Sequence, residues 1–272
     1  MNKVALITGA SSGIGLKTAL ELKKQGFIVY GAARRVEKME TLKKVGIHVK
    51  YIDVTKEETM TACVNEILKE QGRIDVLINN AGYGSYGAIE DVSLDLARKQ
   101  LDVNLFGLVR MIQLVLPSMR QHHCGKIVNI ASVGGKIATP FGGWYHATKY
   151  AVEGLSDSLR SEVIKFGIDV ILIEPGLIKT DWGLIAADSL RASSSQGAYA
   201  KEAKKTAKFF SKAYSGNWLS KPDLIATTIA NAVTAKKPKT RYLVGRFAKL
   251  AVYSKRFLSD RLYDVIIRRI LY

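Results

Sequence analysis

The chain has 272 residues, of which 47% are hydrophobic and 24% are charged, a composition typical of a globular protein with a substantial core. Its two cysteines, Cys63 and Cys124, exclude the disulfide framework of a small secreted protein, and they lie near no His or Cys cluster that would indicate a metal site. The net charge of +17 comes mostly from residues 201–272, where 17 Lys and Arg stand against 4 Asp and Glu.

Short apolar runs alternate with longer amphipathic segments over the first two hundred residues. The predicted strands are 3–8, 27–33, 48–53, 75–80, 125–132, 169–175 and 240–245. The predicted helices are 15–25, 56–71, 94–119, 145–167 and 221–235. Nearly continuous apolar strands are typical of a sheet covered on both faces, and strand–helix alternation favours parallel pairing. We therefore predict an α/β fold: a single-domain Rossmann fold over residues 1–245, with a doubly wound parallel sheet of about seven strands.

Two segments depart from this alternation. Residues 183–220 contain the polar stretch RASSSQG and a basic run at 201–212, and we interpret them as a mobile substrate-loop insertion with helical pieces. Residues 246–272 form a basic tail with apolar residues at helical spacing. Three roles stay open for this helical tail: packing on the domain with its charges in water, lying on an anionic membrane, or covering an apolar substrate. Nucleic-acid binding is not expected, because no recognition motif accompanies the charge.

Targeting signals are not evident. Only four apolar residues, VALI, precede TGASSG, which leaves no room for a signal peptide. No apolar run reaches the roughly eighteen residues of a membrane-spanning helix. We expect a cytoplasmic protein without a membrane-spanning helix.

The stretch TGASSGIG, residues 8–15, joins the first predicted strand to the first helix. Glycine inside regular structure costs roughly 0.5–1 kcal/mol of stability relative to alanine. Three glycines here therefore indicate that the backbone turns sharply or that another group comes close to it. In dinucleotide-binding folds, such glycines admit the pyrophosphate to the N-terminus of a helix. The spacing G-x-x-x-G-x-G differs from the common G-x-G-x-x-G, and a tight turn without a ligand is the alternative.

Tyr145 and Lys149 are four residues apart on one face of a predicted helix. A nearby ammonium stabilises a phenolate and lowers the pKa of the phenol, which makes the pair a general acid/base for interconverting a hydroxyl and a carbonyl. The alternative is a half-buried ring beside a solvated charge. Ser132, thirteen residues earlier at the end of a strand, favours the chemical role, although a turn serine after a strand is common.

These motifs together resemble the short-chain dehydrogenase/reductase family. The matching pieces, in the family's order and spacing, are TGASSGIG (8–15), DV (53–54), NNAG (79–82), Asn104 in DVNLFG, Ser132 in NIAS, YHATK (145–149) and PGLIKT (175–180). The resemblance runs from about Lys3 to Thr180, and more loosely to Gly245. It implies hydride transfer between a nicotinamide and a carbonyl or secondary alcohol.

The resemblance also implies residue roles. Tyr145 would move the proton, Ser132 would hydrogen-bond the substrate oxygen, and Asn104 would bend its helix and hold a water behind Lys149. The residues implied to contact the cofactor are Gly9, Ser11, Ser12, Gly13, Ile14, Gly15, Asp53, Val54, Asn80, Ala81, Gly82, Tyr145, Lys149, Pro175, Gly176 and Thr180. Asp53 could also be the N-cap of the following helix.

The end of the second strand indicates which cofactor is used. NAD enzymes place an acidic residue there, whereas NADP enzymes place arginine for the 2′-phosphate. Here Ala33 is followed by Arg34 and Arg35, and guanidinium groups suit phosphate. We predict NADP(H) as the cofactor; the alternative is two arginines on a solvated turn.

The expected ligand is a small, apolar carbonyl or alcohol. The resemblance further implies a homo-oligomer formed through the helices at 94–119 and 145–167. Two other functions stay open, because a fold alone does not settle activity. They are a non-catalytic NADP(H)-binding sensor or interaction protein, and a reductase of lipid-like carbonyls at a membrane.

Overall fold

All seven predicted strands are present in the computed structural model, which describes residues 2–272. They are β1 (Val4–Thr8), β2 (Ile28–Ala33), β3 (His48–Tyr51), β4 (Val76–Asn79), β5 (Gly125–Ile130), β6 (Ile168–Pro175) and β7 (Arg241–Val244). They form one sheet in the order β3-β2-β1-β4-β5-β6-β7, and every neighbouring pair is parallel. The order reverses between β1 and β4, and ligands of such sheets bind at that point, outside the carboxyl ends of the strands.

Helices cover both faces of the sheet. They are α1 (Gly13–Lys24), α2 (Glu40–Lys44), α3 (Glu57–Gln71), α4 (Leu94–Leu101), α5 (Gly107–Gln121), α6 (Gly143–Val163), α7 (Trp182–Ser194), α8 (Ala200–Ser215), α9 (Pro222–Thr234), α10 (Ala248–Phe257) and α11 (Asp260–Leu271). Side chains of β1 alternate between two cores: Leu6 packs with α3, α5 and α6, whereas Ala5 and Ile7 pack with α1 and α9. This period of two is what a sheet buried on both faces requires.

The predicted helix at 94–119 is continuous, but its hydrogen-bonding pattern changes in the middle. A π-helical turn, Asp102–Phe106, joins α4 to α5, and such turns are frequent at functional sites. By length and composition alone, Leu94–Gln121 is the one helix of residues 2–272 that could cross a membrane, with a mean hydropathy of 1.3 over an 18-residue window. That no helix spans a membrane stays a prediction, because length and composition alone do not establish a membrane span. In this fold the helix packs against α3, β4 and β5, and a core helix of a globular protein meets the same criterion.

The insertion at 183–220 is built from two helices, α7 and α8, which pack against each other. The tail is also helical and folds back onto the domain. Its last helix, α11, contacts α8, and the Lys205 ammonium donates a hydrogen bond to the Tyr272 carbonyl at 3.0 Å. The Tyr272 ring lies 6.2 Å from that of Phe141. The sequence pattern did not predict α2 or the extent of α7, because neither has a clear cap or period.

Candidate active site

The glycine turn between β1 and α1 is locked to the end of β4. Gly9 has a φ of +68°, and a Cβ there would lie 2.8 Å from the Asn80 amide nitrogen. That nitrogen donates to the carbonyls of Thr8, at 3.0 Å, and Gly9, at 3.1 Å. A Cβ on Gly15 would lie 2.5 Å from the Gly9 oxygen. These two glycines are thus required by close packing, as the motif predicts.

The N-terminus of α1 has the backbone features of an anion-binding site. Ser12 precedes the helix in an extended conformation, and the first turn contains no acidic residue. Unpaired N–H groups and the positive end of the helix dipole therefore face the cavity. Arg34 and Arg35 are exposed beside it, and the Arg35 guanidinium donates to Ser11 Oγ at 3.4 Å. The residues present fit a dinucleotide that carries an additional phosphate.

A cavity of about 750 Å³ lies at the carboxyl ends of the strands. It is lined by Ser132, Tyr145, Lys149 and by every residue predicted to contact the cofactor except Gly15. Gly15 and Asn104 lie behind its wall. The structure therefore brings together a set of residues that are spread over 172 positions of the sequence, from Gly9 to Thr180.

Tyr145 and Lys149 are both buried, with 7% and 8% of their surface exposed. Burial raises the pKa of Tyr145 to about 12, opposed by a hydrogen bond with Ser132. Burial lowers the pKa of Lys149 to about 8, opposed by the charge of Glu153. The Lys149 ammonium donates to the Ile130 carbonyl at 2.7 Å. In the free protein the phenol is therefore protonated and able to donate, as a general acid requires.

Ser132 and Asn104 occupy their positions through local hydrogen bonds. Ser132 Oγ accepts from the Gly134 N–H at 3.0 Å and caps the short 3₁₀ turn Val133–Gly135. Asn104, in the π-helical turn, donates to the Tyr83 carbonyl at 2.8 Å and accepts from the Tyr83 N–H at 3.0 Å. Its amide also donates to Thr148 Oγ1 at 3.3 Å. Asn104 thus joins the loop after β4 to the helix that carries Tyr145.

Asp53 is not the N-cap of the following helix, so that alternative is wrong. Helix α3 begins at Glu57 with Lys56 at its N-cap. The Asp53 carboxylate instead accepts from the N–H and the hydroxyl of Thr55, at 3.0 and 2.8 Å. Burial tends to raise the pKa of Asp53, but the Thr55 hydrogen bonds and the charge of Arg34 lower it overall. Asp53 is therefore an ionised turn residue at the cavity rim.

An aromatic wall, which the motifs did not predict, faces Tyr145. It consists of Tyr86, Trp182, Phe210 and Tyr214, all of which line the cavity. The Tyr86 ring lies 5.9 Å from that of Tyr145 and 5.2 Å from that of Phe210. The Trp182 ring lies 5.0 Å from that of Tyr145. Aromatic residues in 183–220 signalled only Phe210 and Tyr214, because packing between distant segments has no fixed spacing that would have added Tyr86 and Trp182.

Further residues bear on the site. His146 lines the cavity; its ring contacts the Gly134 carbonyl at 2.9 Å and accepts from the Thr139 N–H at 3.0 Å. Its neighbours therefore define one neutral tautomer, and burial lowers its pKa. Among residues 2–272, no group of three or more His, Cys, Asp or Glu side chains is arranged to hold a metal.

Comparison with known proteins identifies the family. The model of the short chain dehydrogenase family matches residues 3–186. The chain belongs to the short-chain dehydrogenase/reductase family. It is 38% identical over 270 residues to a 3-ketodihydrosphingosine reductase of Bacteroides thetaiotaomicron, covering 98% of this chain and 97% of that protein.

Solved structures of this family have the same fold. A short-chain dehydrogenase from Streptomyces avermitilis matches with a TM-score of 0.80 and 32% identity, covering 93% of this chain and 92% of its own. A serine dehydrogenase in its closed form, complexed with NADP+, matches with a TM-score of 0.77 and 25% identity, covering 89% and 94%. The predicted α/β single-domain Rossmann fold and the family resemblance are confirmed.

Proposed function

We propose that this oxidoreductase reduces an extended, apolar ketone to a secondary alcohol with NADPH. The observation that carries the proposal is the meeting of Ser132, Tyr145 and Lys149 in one cavity, between the glycine turn and the aromatic wall. A non-catalytic nucleotide sensor would need the glycine turn alone. The buried Tyr145 and Lys149, with Ser132 beside them at the cavity, are the reason to prefer an enzyme.

The chain's own residues supply positioning and the proton. The nicotinamide cofactor, when bound, supplies the hydride to the carbonyl carbon. Ser132 Oγ holds the carbonyl oxygen beside the Tyr145 hydroxyl, which donates its proton to that oxygen as it becomes an alcohol. The Lys149 ammonium stabilises the phenolate left behind. The phenol regains its proton from solvent through the groups around Lys149, and Asn104 positions the helix that carries both residues.

The preference for NADP(H) is supported by Arg34 and Arg35. Both are exposed at the cavity beside Ser11 and Asp53, and β2 ends in Ala33 where an NAD enzyme would have an acid. A guanidinium binds a phosphate through charge-assisted hydrogen bonds. The same arginines have no phosphate to bind in NAD(H), so affinity for it should be lower.

The apolar substrate class is supported by the wall of Tyr86, Trp182, Phe210 and Tyr214. These rings leave the inner cavity few polar partners for a charged or sugar-like substrate. Ile185, which is 46% exposed, continues the apolar surface to the cavity rim, where a long chain could leave the site. The similarity to a 3-ketodihydrosphingosine reductase points to the same class, a ketone on a long alkyl chain.

The test is NADPH oxidation against ketones of increasing chain length, with 3-ketodihydrosphingosine included. We expect kcat/KM to rise with chain length, since each buried methylene contributes about 0.8 kcal/mol. Turnover confined to short polar ketones would contradict the substrate class. NADPH binding without turnover of any ketone, aldehyde, steroid or retinoid would favour the sensor.

We also propose that the protein contacts anionic membranes through its tail. On α10, Leu250, Tyr253 and Phe257 are exposed at a spacing that places them on one face, and Phe257 is 78% exposed. On α11, Leu262, Ile266 and Ile270 are exposed in the same way. Arg and Lys residues lie beside them, and the only acidic residues of 246–272 are Asp260 and Asp264. Exposed apolar side chains flanked by cations are typical of helices at lipid surfaces.

Vesicle sedimentation tests the membrane proposal. The protein should sediment with vesicles that contain phosphatidylglycerol and much less with phosphatidylcholine alone. Phe257→Ser together with Ile266→Ser should reduce binding about tenfold or more, given about 1.5–3 kcal/mol for each buried apolar side chain. Equal binding by this double variant would contradict the proposal. This contact would be with the cytoplasmic face, in keeping with our prediction of a cytoplasmic protein.

We further propose a homo-oligomer. Large apolar side chains are exposed along α4 to α6, at Leu94, Leu96, Phe106, Tyr150 and Ile164. Such side chains rarely remain in water when they are contiguous. Light scattering of the eluting protein measures the mass: a monomer of 29.9 kDa at micromolar concentration would contradict this proposal.

A further inference from the structure

Two buried carboxyl groups lie directly behind the catalytic lysine. Glu153 is one helical turn beyond Lys149 on α6, and Glu174 is the buried residue before Pro175, the last residue of β6. They are 4% and 3% exposed. Glu153 Oε1 and Glu174 Oε1 each lack a hydrogen-bond donor among the described residues. Buried carboxylate oxygens without donors are costly, so this arrangement needs an explanation.

The two carboxyl groups compete for the same cations. Arg241 Nε lies 3.1 Å from Glu153 Oε2 and 3.2 Å from Glu174 Oε1, and its single N–H forms the hydrogen bond to Glu153. Lys136 Nζ lies 2.8 Å from Glu153 Oε2 but 3.8 Å from Glu174 Oε1. The Arg241 Nε–H is therefore taken by Glu153, and Glu174 Oε1 pairs with Arg241 and Lys136 through charge without receiving a hydrogen bond from either.

The Arg241 guanidinium is divided among three carboxylates. Arg241 also binds a third one, with Nη2 2.6 Å from Asp157 Oδ2, and Asp157 is shared in turn with Arg160 at 2.6 Å. Two carboxylates held this close cannot both ionise freely. Burial first, and the Glu153 charge second, raise the pKa of Glu174 to about 7. A proton held between the pair would give the donorless oxygens a partner.

This cluster touches the catalytic residues through the turn that follows Ser132. A Cβ on Gly135 would lie 2.8 Å from the Lys149 carbonyl and 3.0 Å from Glu153 Cγ, so the turn lies directly on both. Lys136, in the next position, pairs with Glu153. The charge of Glu153 also favours the ammonium form of Lys149. A change of charge in the pair therefore reaches both Lys149 and the Ser132 turn.

We propose that Glu153 and Glu174 share one proton at neutral pH, and that this pair is a positioning site that stabilises the Lys149 ammonium when the proton leaves. Its consequence for catalysis rests on the reductase function proposed above, whereas the shared proton itself does not. The other charged groups that face the pair are Lys136 from the turn, Asp157 and Lys149 from α6, and Arg241 from β7.

Infrared difference spectroscopy of the protein without cofactor tests the shared proton. Between pH 6 and pH 8.5 the wild type should lose a carbonyl band of a protonated, buried carboxylic acid. Glu174→Gln should lack that band, and Asp157→Asn, which changes the exposed carboxylate of the same cluster, should keep it. A wild type without the band, or a Glu174→Gln variant that keeps it, overturns the proposal even if no substrate is ever found.

The pH profile of kcat tests the coupling to Lys149. In the wild type, activity should fall above the pKa of Lys149, because the ammonium is lost. Glu174→Gln fixes the pair at the single negative charge of its protonated state, so we expect this fall to begin about 0.5–1 pH unit lower, with the KM for NADPH unchanged. Asp157→Asn should reproduce the wild-type profile. A fall at the same pH in Glu174→Gln, with wild-type thermal stability, overturns the coupling.

Discussion

The cofactor side and the substrate side of the cavity are built in different ways. The cofactor side, from the glycine turn to Thr180, consists of strand ends and tight turns in which single residues are required by backbone geometry, such as Gly9 at a φ of +68°. The substrate side consists of the loop after β4 together with α7 and α8, which meet through rings such as Tyr86 and Trp182, 5.7 Å apart. The first side admits few sequences, whereas the second can be repacked around different ligands. Changes on the two sides should therefore affect different kinetic constants.

The largest expected effect is on the glycine turn. Gly9→Val should abolish NADPH binding and destabilise the protein by about 1–3 kcal/mol, because its Cβ meets Asn80 and φ is positive. Gly26→Val is the matched control: its φ is +82°, but a Cβ there meets no atom within 4 Å. It should keep NADPH binding. Calorimetric titration measures NADPH binding and thermal unfolding measures stability in each variant. Equal loss of binding in the two variants would contradict the role of the turn.

Arg34→Asp should weaken NADPH binding by about 10–100-fold, since a hydrogen bond to a charged group contributes about 1.5–3 kcal/mol. NADH binding should change little, because it has no 2′-phosphate. The exposed Arg256, on the tail, provides a control with the same change of charge. Fluorescence titration with both cofactors decides the outcome: an equal loss for NADPH and NADH would remove the basis for an NADP(H) preference.

Trp182→Ala should raise KM for a long-chain ketone about tenfold and leave the dissociation constant of NADPH unchanged. The indole lies over Tyr145, at 5.0 Å, and fills the space next to Gly84, where a Cβ would lie 2.6 Å from it. Trp218→Ala, an aromatic residue outside the cavity lining, is the control. If KM for short and long ketones changed by the same factor, the aromatic wall would not select for chain length.

A further effect is expected on the pH dependence of stability. The pKa of Lys149 falls from 10.5 to about 8 on folding, so between these values the unfolded chain binds more protons than the folded one. The contribution of Lys149 to the free energy of unfolding therefore rises as pH increases from about 8 to 10.5. Denaturant unfolding at pH 8 and pH 10 should show this rise in the wild type and a smaller one in Lys149→Met. An identical rise in both would assign it to other groups.

The same contrast explains how much of the molecule could be predicted. The seven strands, the turn and the glycine-turn side of the cavity followed from residues whose types are fixed by backbone geometry or by chemistry, such as Gly9, Tyr145 and Lys149. The aromatic wall and the Glu153–Glu174 pair did not, because they join residues that are distant in sequence and have no characteristic spacing. Asp53 shows a further limit: a carboxylate before a helix suggested an N-cap, but the turn closed by Thr55 delayed the helix to Glu57.

The most direct test of the account is a single turnover of NADPH with a long-chain ketone by the wild type and by Tyr145→Phe. The variant keeps the ring in contact with Tyr86 and Trp182 but lacks the proton donor. We predict that it binds NADPH and ketone like the wild type and that its rate of NADPH oxidation falls by about 10²–10⁴, the usual contribution of a general acid. A variant that oxidises NADPH at the wild-type rate would show that Tyr145 is not the acid and would contradict the account.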